Sequence, residues 1–252
     1  MARSSNFTHP PNSVLFCDFD GPIVNVSDRY YHTYKLGLRM IRSAYAAEQG
    51  RTIDLTPLSK QQFWSMKQNR VCDRTIAARS GLPQELIDTF LQQVCRIVNH
   101  PHLLRWDALQ FGADKAIAQV KRGSIRLVLV TLRHPRQVQS FLQAHDLSQY
   151  VDQIFGASDI YAAHANRTEQ KVTLLERAIA EQVAQGHSIE ASWMVGDTEA
   201  DIIAGQTAGL STMALTCGVR SQTYLKQFKP SEFQPNLLAG VSRVRQCLLQ
   251  AA

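Results

Sequence analysis

The sequence predicts an α/β protein built on a mainly parallel sheet, with a helical segment inserted after the first strand. Short apolar runs alternate with amphipathic stretches along most of the chain, the pattern of strand–helix–strand units. The first of these runs is uniformly apolar, as a strand buried on both faces is. Over residues 25–105 the alternation stops and only helical spacing is left.

The first run, Val14-Leu15-Phe16-Cys17, ends at Asp18 and precedes Gly21-Pro22, which reads as a buried strand and a tight turn. In the insert, Tyr30, Tyr34, Leu38, Ile41 and Tyr45 recur at helical spacing, with Ser27 or Asp28 as the expected N-cap. Residues 63–66 and 75–78 predict shorter helices. Ile87, Phe90, Leu91, Val94 and Val98 predict a longer one, with Pro83 near its start. The alternation resumes near Trp106. Leu109, Ala113, Ala116, Ile117 and Val120 mark a helix that Gly123 stops. A strand over residues 127–130 ends at Thr131, and Pro135 opens a helix carrying Val138, Phe141 and Leu142. Gln153, Ile154 and Phe155 form a weaker strand. Val172, Leu175, Ala178, Ile179 and Val183 mark a helix running to about Gly186. A strand over residues 192–195 ends in Gly196-Asp197, and a helix carrying Ala200, Ile203, Ala204 and Ala208 stops at Gly209. Ser211–Leu215 is the last strand, and residues 241–249 predict a C-terminal helix. The expected organisation is a core of residues 1–24 and 106–252 around a helical insert of residues 25–105.

With 252 residues the chain can bury a sizeable core, and 44% hydrophobic against 19% charged residues is ordinary globular chemistry. The formal charge of +6 favours anionic partners. No run of five Lys/Arg occurs and no basic stripe is interleaved with aromatics, so a small phosphorylated molecule is preferred to nucleic acid. The five cysteines are scattered with no CxxC pair, which argues against a disulfide framework or zinc site and for a reducing, cytoplasmic setting. No stretch approaches the roughly 18 apolar residues of a membrane span. Residues 1–13 lack an apolar signal core, and a loose tail is preferred to an organelle transit signal there.

Polar groups stand at the carboxyl ends of the expected strands, the edge where open parallel sheets bind ligands. Asp18 and Asp20 end the first strand, Thr131 the second, and Asp197 the fourth, with Asp201 one helical turn later. Lys171 opens the helix before the fourth strand. Side chains two apart in an extended segment point the same way, so Asp18 and Asp20 can face one cavity. Close carboxylates repel, and a hard cation such as Mg²⁺ relieves that repulsion while binding phosphate oxygens. One carboxylate can then attack while the other handles protons. A hydroxyl at Thr131 and an ammonium at Lys171 can hold the oxygens of a phosphoryl group in transfer. Each motif alone also reads as a turn or helix cap. The two acidic clusters at two strand ends of a basic protein weigh against that reading when taken together.

In order, Phe16-Cys17-Asp18-Phe19-Asp20-Gly21, Val128-Leu129-Val130-Thr131, Lys171 and Val195-Gly196-Asp197-Thr198-Glu199-Ala200-Asp201 resemble the four motifs of the haloacid-dehalogenase-like (HAD) superfamily. The resemblance covers residues 13–24 and 107–220, and the insert sits where that superfamily often carries a helical cap. It implies a doubly wound, Rossmann-like sheet with the first-motif strand central. It implies Asp18 as nucleophile and metal ligand, and Asp20 as general acid/base that also ligates Mg²⁺ through its backbone carbonyl. It implies Asp197 and Asp201 as metal ligands, and Thr131, Leu132 and Lys171 around the substrate phosphate. Dehalogenases of the superfamily lack the second aspartate, so Asp20 favours phosphoryl chemistry and a phosphatase of the phosphoglycolate-phosphatase-like kind.

The sequence departs from the family pattern at Pro22, Asn25, Leu132-Arg133 and Val172, and Arg133 is expected to add positive charge near the substrate. The expected activity is Mg²⁺-dependent hydrolysis of a small phosphorylated metabolite by a monomer or homodimer. A phosphoryl-transferring mutase and a dormant binding module are the alternatives. His32, His134 and His164 have no partner at metal spacing and read as surface or satisfied histidines. Cys17 reads as a small inert core residue, and Tyr30, Tyr31 and Tyr34 as core packing. The residues that choose the substrate carry no readable motif.

Overall fold

A computed structural model describes residues 13–251. The tail expected over residues 1–13 lies almost wholly outside them. The first strand, β1 (Val14–Cys17), is followed by a turn and the two-residue strand β2 (Val24–Asn25). The inserted helices come next: α1 (Ser27–Gln49), α2 (Lys60–Gln68), α3 (Asp73–Arg79), α4 (Ile87–Ile97) and the single turn α5 (Pro101–Leu104). The chain returns through β3 (Ala108–Leu109), α6 (Ala113–Arg122), β4 (Arg126–Thr131), α7 (Pro135–Ala144) and β5 (Gln153–Gly156). Then follow α8 (Ala162–Ala165), α9 (Thr168–Ala184), β6 (Trp193–Gly196), α10 (Glu199–Thr207) and β7 (Ser211–Leu215). The last elements are α11 (Gln222–Leu225), β8 (Glu232–Gln234) and α12 (Leu237–Ala251).

Six strands form one sheet in the order β5-β4-β1-β6-β7-β8, and every pairing in it is parallel. β1 lies between β4 and β6, the central place that the family resemblance implied. Strand order reverses there, so the carboxyl ends of β1, β4 and β6 share one crevice. Leu15, Cys17, Leu127 and Leu129 pack on one face with Ile117 of α6 and Val241 of α12. Phe16, Val128, Val130 and Met194 pack on the other with Leu175 of α9 and Ala204 of α10. Both faces are covered, which accounts for the uniformly apolar runs.

The inserted helices have a core of their own. Tyr34, Leu38, Ile41, Phe63, Ile76, Ile87 and Phe90 are buried together, with Tyr34 stacked on Phe63 at 4.8 Å between ring centroids. Ser59 and Gln62 close a reciprocal capping box on α2, and Gly50 ends α1 in a left-handed conformation. Ser27 and Asp28 are not the N-cap of α1. Both lie inside the helix, Val26 holds the cap position, and the Asn25 side chain accepts the Ser27 N–H at 3.0 Å. Leu109 lies in β3 rather than in α6. The strands β2, β3 and β8 had no sequence signal, because two or three residues are too few for a period to appear. β2 and β3 pair antiparallel and form the joint between insert and sheet. Among the described residues no helix is long and apolar enough to cross a membrane.

Apolar side chains around α6 separate sharply by position. Ile117 is fully buried, whereas Phe111 just before the helix is 82% exposed. Ile117→Ala is expected to cost about 2–5 kcal/mol, and Phe111→Ala to stay within about 0.5 kcal/mol. Urea unfolding of both variants checks the contrast.

Candidate active site

Strand ends and one helix start bring the expected residues together. Asp18 leaves β1 with its N–H donated to the Val195 carbonyl of the neighbouring strand at 2.9 Å. Its Oδ1 accepts the Phe19 N–H at 2.7 Å and lies 2.8 Å from Lys171 Nζ. Lys171, in the first turn of α9, is also 2.7 Å from Asp201 Oδ1, so one buried ammonium bridges two carboxylates. Asp201 is the third residue of α10 and caps that helix. Its Oδ2 accepts the Thr198 N–H at 3.0 Å and the Thr198 hydroxyl at 2.8 Å. The cap and the site contact use different oxygens of the same side chain.

Asp197 is fully buried. Its Oδ2 accepts the Val219 N–H at 2.5 Å, and its Oδ1 is buried without a hydrogen-bond partner. Two glycines make room for it. A Cβ on Gly21, which has φ +96°, or on Gly218 would fall on the Asp197 carboxylate. One oxygen from each of Asp18, Asp197 and Asp201 lies within 4.8 Å of the others. Three carboxylates against one ammonium leave an excess negative charge in a buried site. Burial raises the Asp18 carboxyl to about 7, with Asp201 adding to the rise and Lys171 opposing it. Burial, then Asp201 and Asp18, push Asp197 well above the usual carboxylate range. An orphaned buried oxygen, hard oxygen donors and excess negative charge fit a hard divalent cation.

Asp20 lies two residues from Asp18 in a different electrostatic setting. Arg29 Nη2 donates to its Oδ2 at 2.9 Å, and Arg133 Nε lies 3.3 Å from its Oδ1. Its side chain stands apart from the three-carboxylate group. Asp18, Asp20, Thr131, Leu132 and Lys171 line one small cavity of about 40 Å³, with Tyr30, Lys67 and Arg70 from the inserted helices and His164 and Arg220 from the core. The Thr131 hydroxyl accepts the Arg133 N–H at 3.2 Å, which leaves its own proton to donate.

The inserted helices sit down on the core at this cavity. Arg70 Nε is 3.0 Å from Glu199 Oε1, and Arg220 Nε donates to Glu199 Oε2 at 2.9 Å. The Ser221 N–H donates to the Gln68 carbonyl at 2.9 Å. Tyr34 is core packing as expected. Tyr30 packs against the same core and also lines the cavity. His164 also lines it, and burial reinforced by Lys67 lowers its imidazole to about 4, so it stays neutral. Arg133 is buried against Asp20, so its charge stands behind that carboxylate and it does not itself line the cavity. Cys17 is buried and its thiol pushed far up, first by burial, which fits its reading as inert. The roles of Arg29, Arg133, Tyr30 and His164 were not legible, because no local motif marks residues that meet the site from separate elements.

A family described as haloacid dehalogenase-like hydrolase matches residues 14–215. The chain belongs to this family. Among its relatives, pyrophosphatase PpaX of Bacillus cereus (strain B4264) is 23% identical over 225 residues, 87% of this chain and 89% of the relative. Pyrophosphatase PpaX of Halalkalibacterium halodurans is 23% identical over 222 residues, 87% and 90% respectively. A predicted phosphoglycolate phosphatase from Haemophilus somnus has the same fold at TM-score 0.63 and 17% identity, over 92% of this chain and 97% of that one. A predicted phosphatase from Clostridium acetobutylicum matches at 0.63 and 14%, over 95% and 99%. The chain is thus a hydrolase of the HAD family, on the phosphatase side that the second aspartate favoured.

An unfolded aspartate ionises near 4, roughly three units below Asp18 in the folded chain. Between about pH 4 and 7 the folded chain therefore keeps a proton that the unfolded chain has lost. Through this group, metal-free stability falls as pH rises across that window and then levels. A divalent cation would bind the ionised cluster and so is expected to stabilise more at about pH 7.5 than at about pH 5. Mg²⁺ at about 100 times its dissociation constant is expected to raise the thermal midpoint by roughly 5 °C or more at the higher pH. The shift is expected to vanish in Asp197→Asn. Equal shifts in parent and variant, read by differential scanning fluorimetry, would remove Asp197 from the metal site.

Proposed function

We propose that this hydrolase is a Mg²⁺-dependent phosphatase that moves the phosphoryl group of a small phosphorylated metabolite onto Asp18 and then to water. The convergence of Asp18, Asp197 and Asp201 within 4.8 Å, with Lys171 bridging Asp18 and Asp201, carries this reading. The Phe19 N–H and Lys171 Nζ both meet the Asp18 side chain at Oδ1, so Oδ2 is the oxygen assigned to attack. As the Asp18 oxygen bonds to phosphorus, the bond to the leaving oxygen breaks and Asp20 gives that oxygen its proton. Asp20, now ionised, takes a proton from a water that attacks the aspartyl-phosphate. The bond from phosphorus to Asp18 breaks, and inorganic phosphate leaves.

Thr131, Leu132 and Lys171 are assigned to the transferring oxygens. Mg²⁺ would be held by the carboxylates of Asp18, Asp197 and Asp201 and by the Asp20 backbone carbonyl. When bound it would neutralise the cluster and polarise the phosphoryl oxygens. The inserted helices act as a cap that closes over the substrate, because Lys67 and Arg70 line the same cavity as Asp18. The five cysteines are unpaired, in keeping with a cytoplasmic, reducing setting.

A second reading narrows the substrate to inorganic pyrophosphate. Two relatives are named as pyrophosphatases, and the small cavity carries Lys67, Arg70 and Arg220 opposite the aspartates. Phosphate release from a panel of phosphate esters and pyrophosphate, with Mg²⁺ and with a chelator, tests both readings. Release is expected only with Mg²⁺. It is expected to fall by roughly three or more orders of magnitude in Asp18→Asn, as loss of a nucleophile does elsewhere. Unchanged turnover in that variant would refute the mechanism.

A further inference from the structure

Around Asp20 the structure holds a closed ring of charges that the reaction scheme leaves unused. Arg29 Nη2 donates to Asp20 Oδ2 at 2.9 Å, and Arg29 Nε lies 2.8 Å from Asp107 Oδ1. Arg133 Nη2 donates to Asp107 Oδ2 at 2.7 Å, and Arg133 Nε lies 3.3 Å from Asp20 Oδ1. The side chains of Arg29, Arg133 and Asp107 are each 1% exposed and that of Asp20 is 12% exposed. Asp20 alone of the four lines the cavity.

The two sides through the terminal nitrogens are hydrogen bonds. The two Nε–Oδ1 sides are close but misaligned, and those four buried atoms make no hydrogen bond. Each arginine thus grips one carboxylate and leans on the other. A buried ring of this kind is weak as a source of stability compared with apolar packing. Its effect is on where the four groups stand.

The members come from the places where insert and core meet. Arg29 is in the first turn of α1, and its Nη1 also donates to Asn99 Oδ1 at 2.7 Å, beyond the end of α4. Asp107 directly precedes β3, on the strand pair that joins insert to sheet. Arg133 follows the end of β4 and lies 5.5 Å over the ring of Phe19, the residue between the two aspartates. One oxygen of Asp20 is therefore held from the insert and the other from the core, with Asp107 tying the two arginines together.

We propose that Arg29, Asp107 and Arg133 are positioning residues for Asp20: the ring aims the carboxyl that gives the leaving oxygen its proton, and it is complete only when the inserted helices sit closed on the core. This rests on the function proposed above. A positioning role of this kind predicts a leaving-group signature. An alkyl alkoxide needs the proton as it departs, whereas a nitrophenolate leaves with little help. The ratio kcat/KM reports bond breaking to the leaving group and is blind to the later hydrolysis of the aspartyl-phosphate.

The test is kcat/KM with Mg²⁺ for glycerol 2-phosphate and for p-nitrophenyl phosphate in Arg29→Lys and Arg133→Lys, with Asp20→Asn as reference. Each lysine variant keeps the charge of the ring and loses the fork, and the two lie on separate elements, so either one decides if the other fails to fold. The alkyl ester is expected to lose about 10- to 100-fold, part of what a general acid contributes. The aryl ester is expected to lose less than about 3-fold, and Asp20→Asn to show the same pattern more deeply. Equal losses on both esters, or no loss on either, would overturn the proposal. If the parent releases phosphate from no member of the ester and pyrophosphate panel, or Asp18→Asn keeps its rate, the underlying phosphatase reading has failed instead.

Discussion

Most of this molecule is arranged around an electrostatic imbalance: three buried carboxylates that one ammonium cannot neutralise. Asp18, Asp197 and Asp201 bring one oxygen each within 4.8 Å of the others, and Lys171 touches two of the three. Like charges in a low-dielectric site are costly unless a cation or a proton offsets them. The fold accepts that cost at every step. β1 and β6 are adjacent, which puts the ends bearing Asp18 and Asp197 side by side. Gly21 and Gly218 leave out a Cβ so that the Asp197 carboxylate can be accommodated. α9 starts where its fourth residue can bury an ammonium between Asp18 and Asp201. A purely structural Asp cap needs none of this, because Thr198 and Asp201 already satisfy the start of α10.

That imbalance also separates two aspartates that the sequence places two residues apart. Asp18 faces other carboxylates, and its charge is opposed by burial. Asp20 faces two guanidinium groups. Different surroundings set the two identical side chains apart: one belongs to the carboxylate cluster, and the other is held by guanidinium groups clear of it. Alternation along an extended segment correctly turns both toward one cavity. It cannot say what waits for each on arrival, because those partners come from α1, the segment before β3 and the end of β4.

This is where legibility ended. Asp18, Thr131, Lys171, Asp197 and Asp201 were readable because each sits at a strand end or helix start, where local pattern and site geometry coincide. The central place of β1 was implied by the family resemblance and holds in the sheet. Arg29 was invisible for the opposite reason. In a helix read by apolar spacing, an arginine beside Ser27 and Asp28 belongs to the wet face, yet its side chain is 1% exposed. Asp107 stood only where the alternation resumes, and Arg133 was noticed as a departure but sent toward the substrate. Burying an arginine takes carboxylates to meet it, and the one that both arginines share, Asp107, lies 78 positions away in the sequence from Arg29 and 26 from Arg133.

The joint between insert and sheet shows why such long-range pairs gather there. β2 and β3 are two residues each, and so short a ladder aligns two chain crossings without fixing the orientation of the helices beyond them. Orientation has to come from side chains. The contacts on the far side of the cavity, Arg70 and Arg220 on Glu199, are partly exposed at Arg70, and a pair of that kind is worth little in water. The contacts beside the joint are buried and charged, so their geometry is held far more tightly. A buried charge placed between two bodies is a poor adhesive but a strict gauge, because small displacements leave it unpaired. In this chain the gauge passes through Asp20, so the seating of the inserted helices and the place of that carboxyl are set by the same contacts.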